Sequence, residues 1–400
     1  MKAVVWHGVG DIRLEDVPEP KIQAAADAVV RITTSAMCGT DLHLIRGTMP
    51  GMKEGTIIGH EAVGEVVEVG AGVRNFSRGD RVVIPSTISC GYCSYCRAGY
   101  QAQCDNANPG GNLAGTAFFG GPEAAGGFDG LQAEYARVPY ANTSLVPVPP
   151  GVTDAQAIMV SDIFPTAWFG AKLAEIRTGD TVAVFGAGPV GQLAVLSAYL
   201  QGAGRVIAVD HNDDRLALAQ AQHAEIVNFD TEDPVAAIRE LTGGIGVDRV
   251  IDAVGVDAER PAGGVPADQA EQFDAEQRQA APEGDPTGSR WVPGDAPSQV
   301  SQWAADAVAK AGTIGIIGVY QQTISTYPIG VVMNKNLTVK AGNCNHRHYM
   351  PQLLRLIAEG GVDPALLLTE QEPMTDVMAA YREFDRRRPG WIKVALDPAA

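Results

Sequence analysis

Four cysteines lie within fifteen residues of this chain, in the pattern Cys-x2-Cys-x2-Cys-x7-Cys. Four thiolates at this spacing can surround one Zn²⁺ as a closed tetrahedral site. The alternative is a pair of local disulfides, as in a small secreted domain. With only six cysteines in 400 residues, the chain is too poor in cysteine for that class of protein. We therefore expect a reducing, cytoplasmic compartment and a structural zinc lobe at about residues 86–108, with the ligands Cys90, Cys93, Cys96 and Cys104.

Residues 186–191 read Gly-Ala-Gly-Pro-Val-Gly, directly after an apolar segment and at the start of a predicted helix. A G-x-G-x-x-G run in this setting is typical of a dinucleotide site. The first glycine permits the tight turn, the second lets the backbone approach a pyrophosphate, and the third lets helix pack on strand. The helix N-terminus then offers N–H groups to the phosphates. The expected cofactor-binding residues are Gly186, Gly188, Pro189, Val190 and Gly191.

The second predicted strand of this region ends at Asp210, nineteen residues after Gly191. An acidic residue there accepts hydrogen bonds from ribose hydroxyls and disfavours a 2′-phosphate, so the sequence predicts NAD rather than NADP. The alternative is that Asp210 caps the next helix. Arg215, one helical turn further on, either pairs with the ribose or phosphate or is only solvated.

A second candidate zinc site involves Cys38-Gly-Thr-Asp-Leu-His43 and Gly59-His60-Glu61. Cysteine and neutral histidine are preferred zinc ligands. A lone Cys–His pair is usually a coincidence. Beside a zinc-type cysteine run and a dinucleotide motif, the pair instead predicts a reactive metal site.

Composition excludes several classes of function. A formal net charge of −17 argues against nucleic-acid binding, because phosphate contacts need a basic surface. The start of the chain shows no signal-peptide pattern. The uncharged stretch from 181 to 204 is broken by glycines and a proline, so we expect no membrane span.

The chain is long enough for two domains. Its first part predicts an antiparallel, barrel-like domain with strands at 63–69, 81–84 and 132–138. After about residue 154, strands and helices alternate, which predicts a doubly wound parallel sheet. Inside this sheet domain, about residues 256–300 have a loop-like composition and are expected to form an insertion, either a surface excursion or a lid over a cofactor. The predicted sheet strands are 181–185, 205–209, 225–228, 247–251 and 313–317, with a helix at 350–359 and a closing strand at 391–396.

Taken together, these motifs resemble the zinc-dependent alcohol dehydrogenases of the medium-chain dehydrogenase/reductase superfamily, over nearly the whole chain. The resemblance implies an α/β protein with a GroES-like barrel-type catalytic domain at 1–162 and a Rossmann doubly wound parallel sheet domain at 163–340. Residues 341–400 would return to the catalytic domain. It further implies one catalytic and one structural Zn²⁺, NAD, a small-molecule alcohol or aldehyde substrate, and a homodimer or homotetramer.

In this family, the catalytic zinc takes ligands that match Cys38 and His60. The third ligand is often cysteine, but Asp162 falls at that position here, in Ser161-Asp-Ile-Phe-Pro-Thr166. A carboxylate oxygen is an acceptable zinc ligand. This segment resembles the branch of glutathione-independent formaldehyde dehydrogenases. The alternative for Asp162 is a helix cap.

Other roles are implied by the resemblance alone. Thr40 and His43 resemble the family's proton relay, with a surface histidine as the alternative for His43. Asp41 resembles the carboxylate that orients the ligand histidine, and Glu61 the glutamate that can approach zinc. Contacts to NAD are implied for Thr166, Gly318, Val319 and Lys393. No ligand set is evident for His346 or His348, and Cys344 is interpreted as a packed small side chain.

Three functional hypotheses follow. The first is an NAD-dependent alcohol or aldehyde dehydrogenase that exchanges its cofactor freely. The second is a formaldehyde dehydrogenase or aldehyde dismutase that retains NAD between turnovers, suggested by the Ser161–Thr166 segment and the insertion. The third is a non-enzymatic NAD or zinc sensor on the same scaffold.

Overall fold

The computed structural model describes residues 1–111 and 115–399. Two compact units divide the chain. Unit 1 comprises Met1–Ile45, Met49–Pro165 and Asn343–Ala400, and unit 2 comprises Arg46–Thr48 and Thr166–Gly342.

The first part of unit 1 is mostly strand. Its strands are β1 (Lys2–Gly8), β2 (Asp11–Asp16), β3 (Ala28–Ala36), β4 (Thr56–Ile57), β5 (Ala62–Val69), β6 (Arg81–Ile84), β7 (Tyr135–Val138) and β8 (Val146–Pro147). Its helices are α1 (Gly39–Arg46), α2 (Ser94–Arg97), α3 (Ala141–Ser144) and α4 (Asp154–Ser161). A capping box, in which Thr153 and Gln156 satisfy each other's backbone N–H groups, begins α4.

Strands and helices then alternate through unit 2. After α5 (Ile163–Leu173) come β9 (Thr181–Phe185), α6 (Pro189–Leu200), β10 (Arg205–Asp210), α7 (Asp213–Ala221), β11 (Glu225–Asn228), α8 (Pro234–Leu241), β12 (Val247–Asp252), α9 (Ala267–Ala280), α10 (Gln299–Ala307), β13 (Val308–Ile316), α11 (Ile329–Asn334) and β14 (Thr338–Ala341). The chain then returns to unit 1 with α12 (His346–Ala358), β15 (Leu368–Pro373), α13 (Val377–Asp385) and β16 (Lys393–Asp397).

The strands of unit 1 pair mainly antiparallel. One path runs β15-β16-β3-β5-β6-β8, with β7 also on β3, and a smaller sheet runs β2-β1-β4. Only β15 and β16 run parallel among the pairs described. The long strand β3 is buried along most of its length and holds the centre of the larger sheet. Its end leads directly to Cys38.

The sheet of unit 2 has the order β11-β10-β9-β12-β13-β14, and its neighbouring strands are parallel. The chain order reverses between β9 and β12, which is the topological switch point at which doubly wound sheets bind ligands. Val182, Ala183 and Val184 of the central strand β9 are fully buried. The predicted Rossmann fold is therefore confirmed.

The segment at about 256–300 is more ordered than the loop that its composition predicted. It contains the fourteen-residue helix α9, and the fully buried Phe273 of that helix packs in the unit 2 core with Phe185 and Val209. Gln277 Nε2 donates to the carbonyl oxygens of Pro293 and Gly294 at 3.2 Å. The sequence did not predict this helix, because the segment contains few large apolar residues. One buried aromatic side chain and several alanines are enough to pack it.

Within residues 1–111 and 115–399, none of the helices combines the length and hydropathy that crossing a membrane requires.

Candidate metal centres and dinucleotide site

Four buried side chains of unit 1 converge on one point: those of Cys38, His60, Glu61 and Asp162, whose candidate ligand atoms all lie within 4.8 Å of one another. Asp162 Oδ2 lies 3.8 Å from Cys38 Sγ and 3.5 Å from His60 Nε2. Tetrahedral Zn²⁺, with bonds of about 2.0–2.3 Å, separates its ligand atoms by roughly 3.3–3.8 Å. The three predicted ligands therefore have the chemistry and the spacing that zinc requires.

The histidine of this group has an unsatisfied ring. Neither ring nitrogen of His60, which is 3% exposed, has a hydrogen-bond partner within the described part of the chain. Leaving buried polar atoms without partners is costly. Burial lowers the pKa of His60, but the negative charges of Asp41 and Cys38 outweigh burial and raise it well above its usual range. The pocket therefore attracts a cation, and a metal at Nε2 would compete with the proton there.

Local chain geometry places these ligands. Cys38 follows β3, His60 lies between β4 and β5, and Asp162 ends α4 with backbone angles outside the helical region. Asp162 directly precedes α5, and its carboxylate oxygens lie beside Cys38, His60 and His346. Gly59, with φ of +90°, must be glycine, because a Cβ there would lie 2.4 Å from the side chain of Gln132.

A buried chain of polar groups lies on the Nδ1 side of the His60 ring. Asp41 Oδ2 accepts from the Cys38 N–H at 2.9 Å and from Gln132 Nε2 at 3.3 Å. Asp41 Oδ1 lies 3.2 Å from His60 Nδ1, within ion-pair distance but not aligned as a hydrogen bond. Tyr381 Oη donates to Gln132 Oε1 at 2.9 Å. Asp41 thus stands where an orienting carboxylate is needed, and Gln132 and Tyr381 are supports that sequence reasoning missed.

Glu61 and Lys393 form a fully buried ion pair. The Lys393 ammonium also donates to the Met37 carbonyl oxygen at 2.8 Å. Burial lowers the pKa of Lys393, but the charge of Glu61 outweighs burial and raises it. Lys393 was expected to contact a pyrophosphate. In the structure its donors are directed at Glu61 and Met37 beside the metal group, so we do not include it in the cofactor site.

Asp162 has a buried histidine partner, although no ligand set was evident for His346 from the sequence. His346 Nε2 lies 2.6 Å from Asp162 Oδ1, the oxygen that faces away from Cys38 and His60. Ser86 Oγ donates to the same oxygen at 2.9 Å. Burial raises the pKa of Asp162, but the hydrogen bond from His346 and the nearby imidazole of His60 outweigh burial and hold the pKa well below its usual range. The carboxylate is therefore held ionised.

Thr40 and His43 lie on α1, three residues apart and hence on one face of the helix. Thr40 Oγ1 lies 3.9 Å from Cys38 Sγ, next to the metal group. His43 is only 5% exposed, so the alternative of a surface histidine is wrong.

The four-cysteine run forms a second group, whose sulfur atoms lie within 4.8 Å of one another. Among the residues that the structure describes, which include all six cysteines, there is no disulfide, and Cys93 Sγ and Cys104 Sγ are 4.0 Å apart, a non-bonded distance. Backbone N–H groups of Tyr92 and Cys93 donate to Cys90 Sγ at 3.4 and 3.3 Å. Such bonds stabilise thiolates, so this lobe fits a closed zinc site of four sulfur ligands.

The glycine-rich loop of unit 2 has the geometry that the dinucleotide motif requires. Gly186 has φ of +88°, and Gly188 is the N-cap of α6, with Pro189 in its first turn. A Cβ on Gly191 would lie 1.8 Å from the Gly186 carbonyl oxygen. The nearest atom to a Cβ on Gly188 would be Arg215 Nη1 at 3.7 Å, so this cationic side chain lies beside the loop.

Asp210 stands at the carboxyl end of β10, beside this loop. Its Oδ2 accepts from the Ala187 N–H at 2.7 Å, and its Oδ1 accepts from the His211 and Asn212 N–H groups at 2.8 and 2.9 Å. The cap of α7 is Asn212, not Asp210. The carboxylate thus fixes the loop and has remaining lone pairs for ribose hydroxyls.

Gln192, fully buried, is a residue that sequence reasoning missed. Its Nε2 donates to the carbonyl oxygens of Ala187 and Arg215, both at 2.8 Å. It therefore ties the glycine-rich loop to α7, the helix that carries Arg215.

Two further loops meet at the switch point of the same sheet. The N–H of Gly318 donates to the Asp252 carbonyl oxygen at 2.9 Å, and the N–H of Val256 donates to the Val319 carbonyl oxygen at 2.8 Å. Tyr320 Oη donates to Asp252 Oδ2 at 2.8 Å. These bonds make Gly318 and Val319 part of a rigid platform. Thr166 lies in α5 at the start of unit 2.

Two family models match the chain. The alcohol dehydrogenase GroES-like domain matches residues 24–150, and the zinc-binding dehydrogenase family matches residues 189–261.

Relatives match over the full length. A zinc-type alcohol dehydrogenase-like protein, AdhB, of Bacillus subtilis is 38% identical, with 100% of each chain covered. The structure of the alcohol dehydrogenase TADH from Thermus sp. ATN1 superimposes with a TM-score of 0.81 at 31% identity, covering 99% of each chain. The glutathione-independent formaldehyde dehydrogenase of Bacillus subtilis is 38% identical over 64% of this chain and 67% of its own length.

Proposed function

The chain belongs to the zinc-type alcohol dehydrogenases of the medium-chain dehydrogenase/reductase superfamily, and from that premise we propose that it oxidises a primary or secondary alcohol, or an aldehyde hydrate, with NAD as hydride acceptor. One observation carries the proposal. Cys38, His60 and Asp162 converge with zinc-like spacing around the unsatisfied Nε2 of a buried histidine. Three protein ligands leave the fourth position of tetrahedral zinc for substrate.

Each residue then has a role. Zn²⁺, when bound by Cys38, His60 and Asp162, supplies Lewis-acid polarisation that lowers the pKa of an alcohol. The Thr40 hydroxyl, adjacent to Cys38 Sγ, accepts the hydrogen bond of the substrate hydroxyl and, as it takes up that proton, releases its own. His43, one turn along α1, receives that proton onward, because imidazole titrates near neutral pH. Asp41 keeps the His60 ring in the orientation that directs Nε2 to the metal.

The cofactor assignment rests on unit 2. When bound, NAD would supply a nicotinamide ring as the hydride acceptor. The N-terminus of α6 would hold the pyrophosphate, with Gly188 leaving space and Arg215 in reach. Asp210 would accept from the ribose hydroxyls and repel a 2′-phosphate, which favours NAD over NADP. Thr166, Gly318 and Val319 would line the nicotinamide end.

The test is turnover of a broad panel of alcohols by zinc-loaded protein with NAD or NADP, followed by NADH or NADPH absorbance. We expect the protein to form NADH and the Cys38→Ala variant to form none. The matched control Cys344→Ala, at a buried cysteine outside both metal groups, should still form NADH. If no alcohol in the panel reduces either cofactor, the proposal fails and a sensor on this scaffold becomes the better explanation.

A second candidate function, formaldehyde oxidation or aldehyde dismutation with NAD retained between turnovers, is favoured by one contact. Glu259, at the start of the insertion, lies 3.2 Å from His211 Nε2, and His211 directly follows Asp210. Nearby, the Ala262 N–H donates to Asp230 Oδ1 at 2.7 Å. The insertion is thus attached beside the predicted ribose site, where it would hinder cofactor release.

A homodimer or homotetramer and a cytoplasmic location remain predictions. Light scattering of the purified protein tests the first of these, and a monomer would contradict it.

A further inference from the structure

His346 is a buried side chain beside the metal group, and the proposed reaction gives it no role. It begins α12 and is 3% exposed, whereas His348, two residues further on, is exposed. Ser86 Oγ lies 3.1 Å from Nε2 and 3.5 Å from Nδ1, and each nitrogen has one further neighbour of its own. Nε2 lies 2.6 Å from Asp162 Oδ1, and Nδ1 lies 3.1 Å from Thr87 Oγ1.

The partners determine which nitrogen carries the proton. An ionised carboxylate only accepts hydrogen bonds, so Nε2 must donate to Asp162. Nδ1 is then the acceptor in a neutral ring, and the Thr87 hydroxyl donates to it. Ser86 Oγ adds a second donor to Asp162 Oδ1 at 2.9 Å. Oδ1 is thereby fully engaged on the side away from Cys38 and His60.

The other oxygen of Asp162 has different surroundings. Oδ2 lies 3.8 Å from Cys38 Sγ and 3.5 Å from His60 Nε2, in the ligand group. A carboxylate can bind a cation through one oxygen or two. Two bound oxygens would add a ligand and close the position that a substrate needs.

We propose that His346 is a positioning residue that binds Oδ1 of Asp162, so that this carboxylate offers zinc a single oxygen, Oδ2, and the fourth metal position stays open. This inference rests on the zinc site of the proposed function. It assigns to α12, the first helix after the chain returns to unit 1, a part in defining the metal's coordination number. Ser86 assists through its own hydrogen bond.

The test uses full-length protein loaded with Zn²⁺, or with Co²⁺ as a spectroscopic probe. His346→Ala should weaken zinc binding at this site by about 10–100-fold, as loss of an outer hydrogen-bond partner typically does. It should also replace the intense visible bands of four-coordinate cobalt with the weaker bands of higher coordination. His346→Gln keeps a donor and should recover most of both properties. The matched control, His348→Ala, should behave as the unaltered protein.

Two further variants separate the possible failures. Ser86→Ala removes the second donor to Oδ1 with a smaller change in packing, and should shift the cobalt spectrum in the same direction as His346→Ala. Asp162→Ala should lose this zinc and retain the zinc of the cysteine lobe, which also reports that unit 1 is folded. Unchanged affinity and spectrum in both His346→Ala and Ser86→Ala would overturn the inference and leave the ligand set intact. Unchanged zinc content in Asp162→Ala would overturn both.

Discussion

Asp162 differs from the cysteine that often completes the catalytic zinc site in this family. A carboxylate is a harder ligand than a thiolate and has a second oxygen, which in this structure is bound by His346 and Ser86. At the scale of single residues, the site therefore depends on the hydrogen-bond partners of its ligands as well as on the ligands themselves.

Replacement of this ligand gives a graded prediction. Asp162→Ala should lose one of two zincs and lower kcat/KM by more than about 100-fold, beyond the loss expected for an outer partner. Asp162→Cys should keep both zincs, because a thiolate is also a zinc ligand. Metal analysis and turnover check this, and full zinc content in Asp162→Ala would contradict the assignment.

Asp252 supports a prediction about pH. Burial raises the pKa of this fully buried carboxyl above its usual range, although donors from Val254, Tyr320 and Gly255 lower it. A raised pKa means that the folded state binds more protons than the unfolded state, so stability falls as the pH rises through the folded pKa. Asp252→Asn, which stays neutral, should therefore gain stability relative to the unaltered protein as the pH rises.

Thermal unfolding of both proteins between acid and weakly alkaline pH measures this difference. A gap that is constant over the whole range would show that Asp252 does not titrate with a raised pKa. Glu271→Gln, at an exposed carboxyl of α9, is the control.

The site residues that the sequence predicted lie in local motifs. The site residues that it did not predict lie far apart along the chain. Cys38, Asp41 and His43 lie within six residues of chain, in a local motif whose resemblance to the family implied their roles. His346 lies 184 residues from Asp162, and Tyr381 lies 249 residues from Gln132. Only the fold brings such pairs together, because a single sequence shows no spacing for contacts between distant segments.

At the scale of elements, the strand–turn–helix unit β9-α6 was predictable, because each glycine in its turn has a steric reason. The helix α9 was not, because its composition is polar and Phe273 is its one buried aromatic side chain. Alternating apolar strands give a strong sequence pattern, whereas a short amphipathic helix within a polar segment gives a weak one.

Gly191 provides the prediction at this scale. Gly191→Ala places a Cβ 1.8 Å from the Gly186 carbonyl oxygen, so α6 must move away from β9. We expect a loss of roughly 1–3 kcal/mol of stability, as for an overpacked core, and greatly weakened NAD binding. Calorimetry and NADH fluorescence titration measure both effects.

The control is Gly330→Ala in α11, where nothing lies within 4 Å of a new Cβ. Alanine is favoured over glycine in a helix by about 0.5–1 kcal/mol, so this variant should be neutral or more stable. Equal NAD affinity in Gly191→Ala and in the unaltered protein would contradict the assignment of the glycine-rich loop to the cofactor site.

At the scale of the whole molecule, the chain has two compact units, with the metal groups in unit 1 and the dinucleotide motif in unit 2. The insertion belongs to unit 2 and packs in its core through Phe273. Deleting it would expose that core, so its role is better tested by a single substitution.

Glu259→Ala removes the ion pair between the insertion and His211. A partly exposed pair contributes at most about 1 kcal/mol, so NAD release should accelerate by no more than roughly fivefold. Stopped-flow displacement of NADH measures this rate, with Glu271→Ala on the exposed side of α9 as the control. Identical release from Glu259→Ala and the control would count against retention of NAD through this contact.

Under the proposed function, hydride transfer to NAD requires the zinc bound by Cys38, His60 and Asp162. A single-turnover experiment tests this requirement directly. Zinc-loaded protein at a concentration above that of NAD is mixed with an alcohol, and NADH absorbance is followed whether or not the cofactor leaves. We predict one NADH per occupied site, lost in Cys38→Ala and in protein stripped of zinc, and restored in stripped protein by added Zn²⁺. NADH that forms equally well without zinc, or that forms with none of a broad panel of alcohols and aldehydes, would contradict the account.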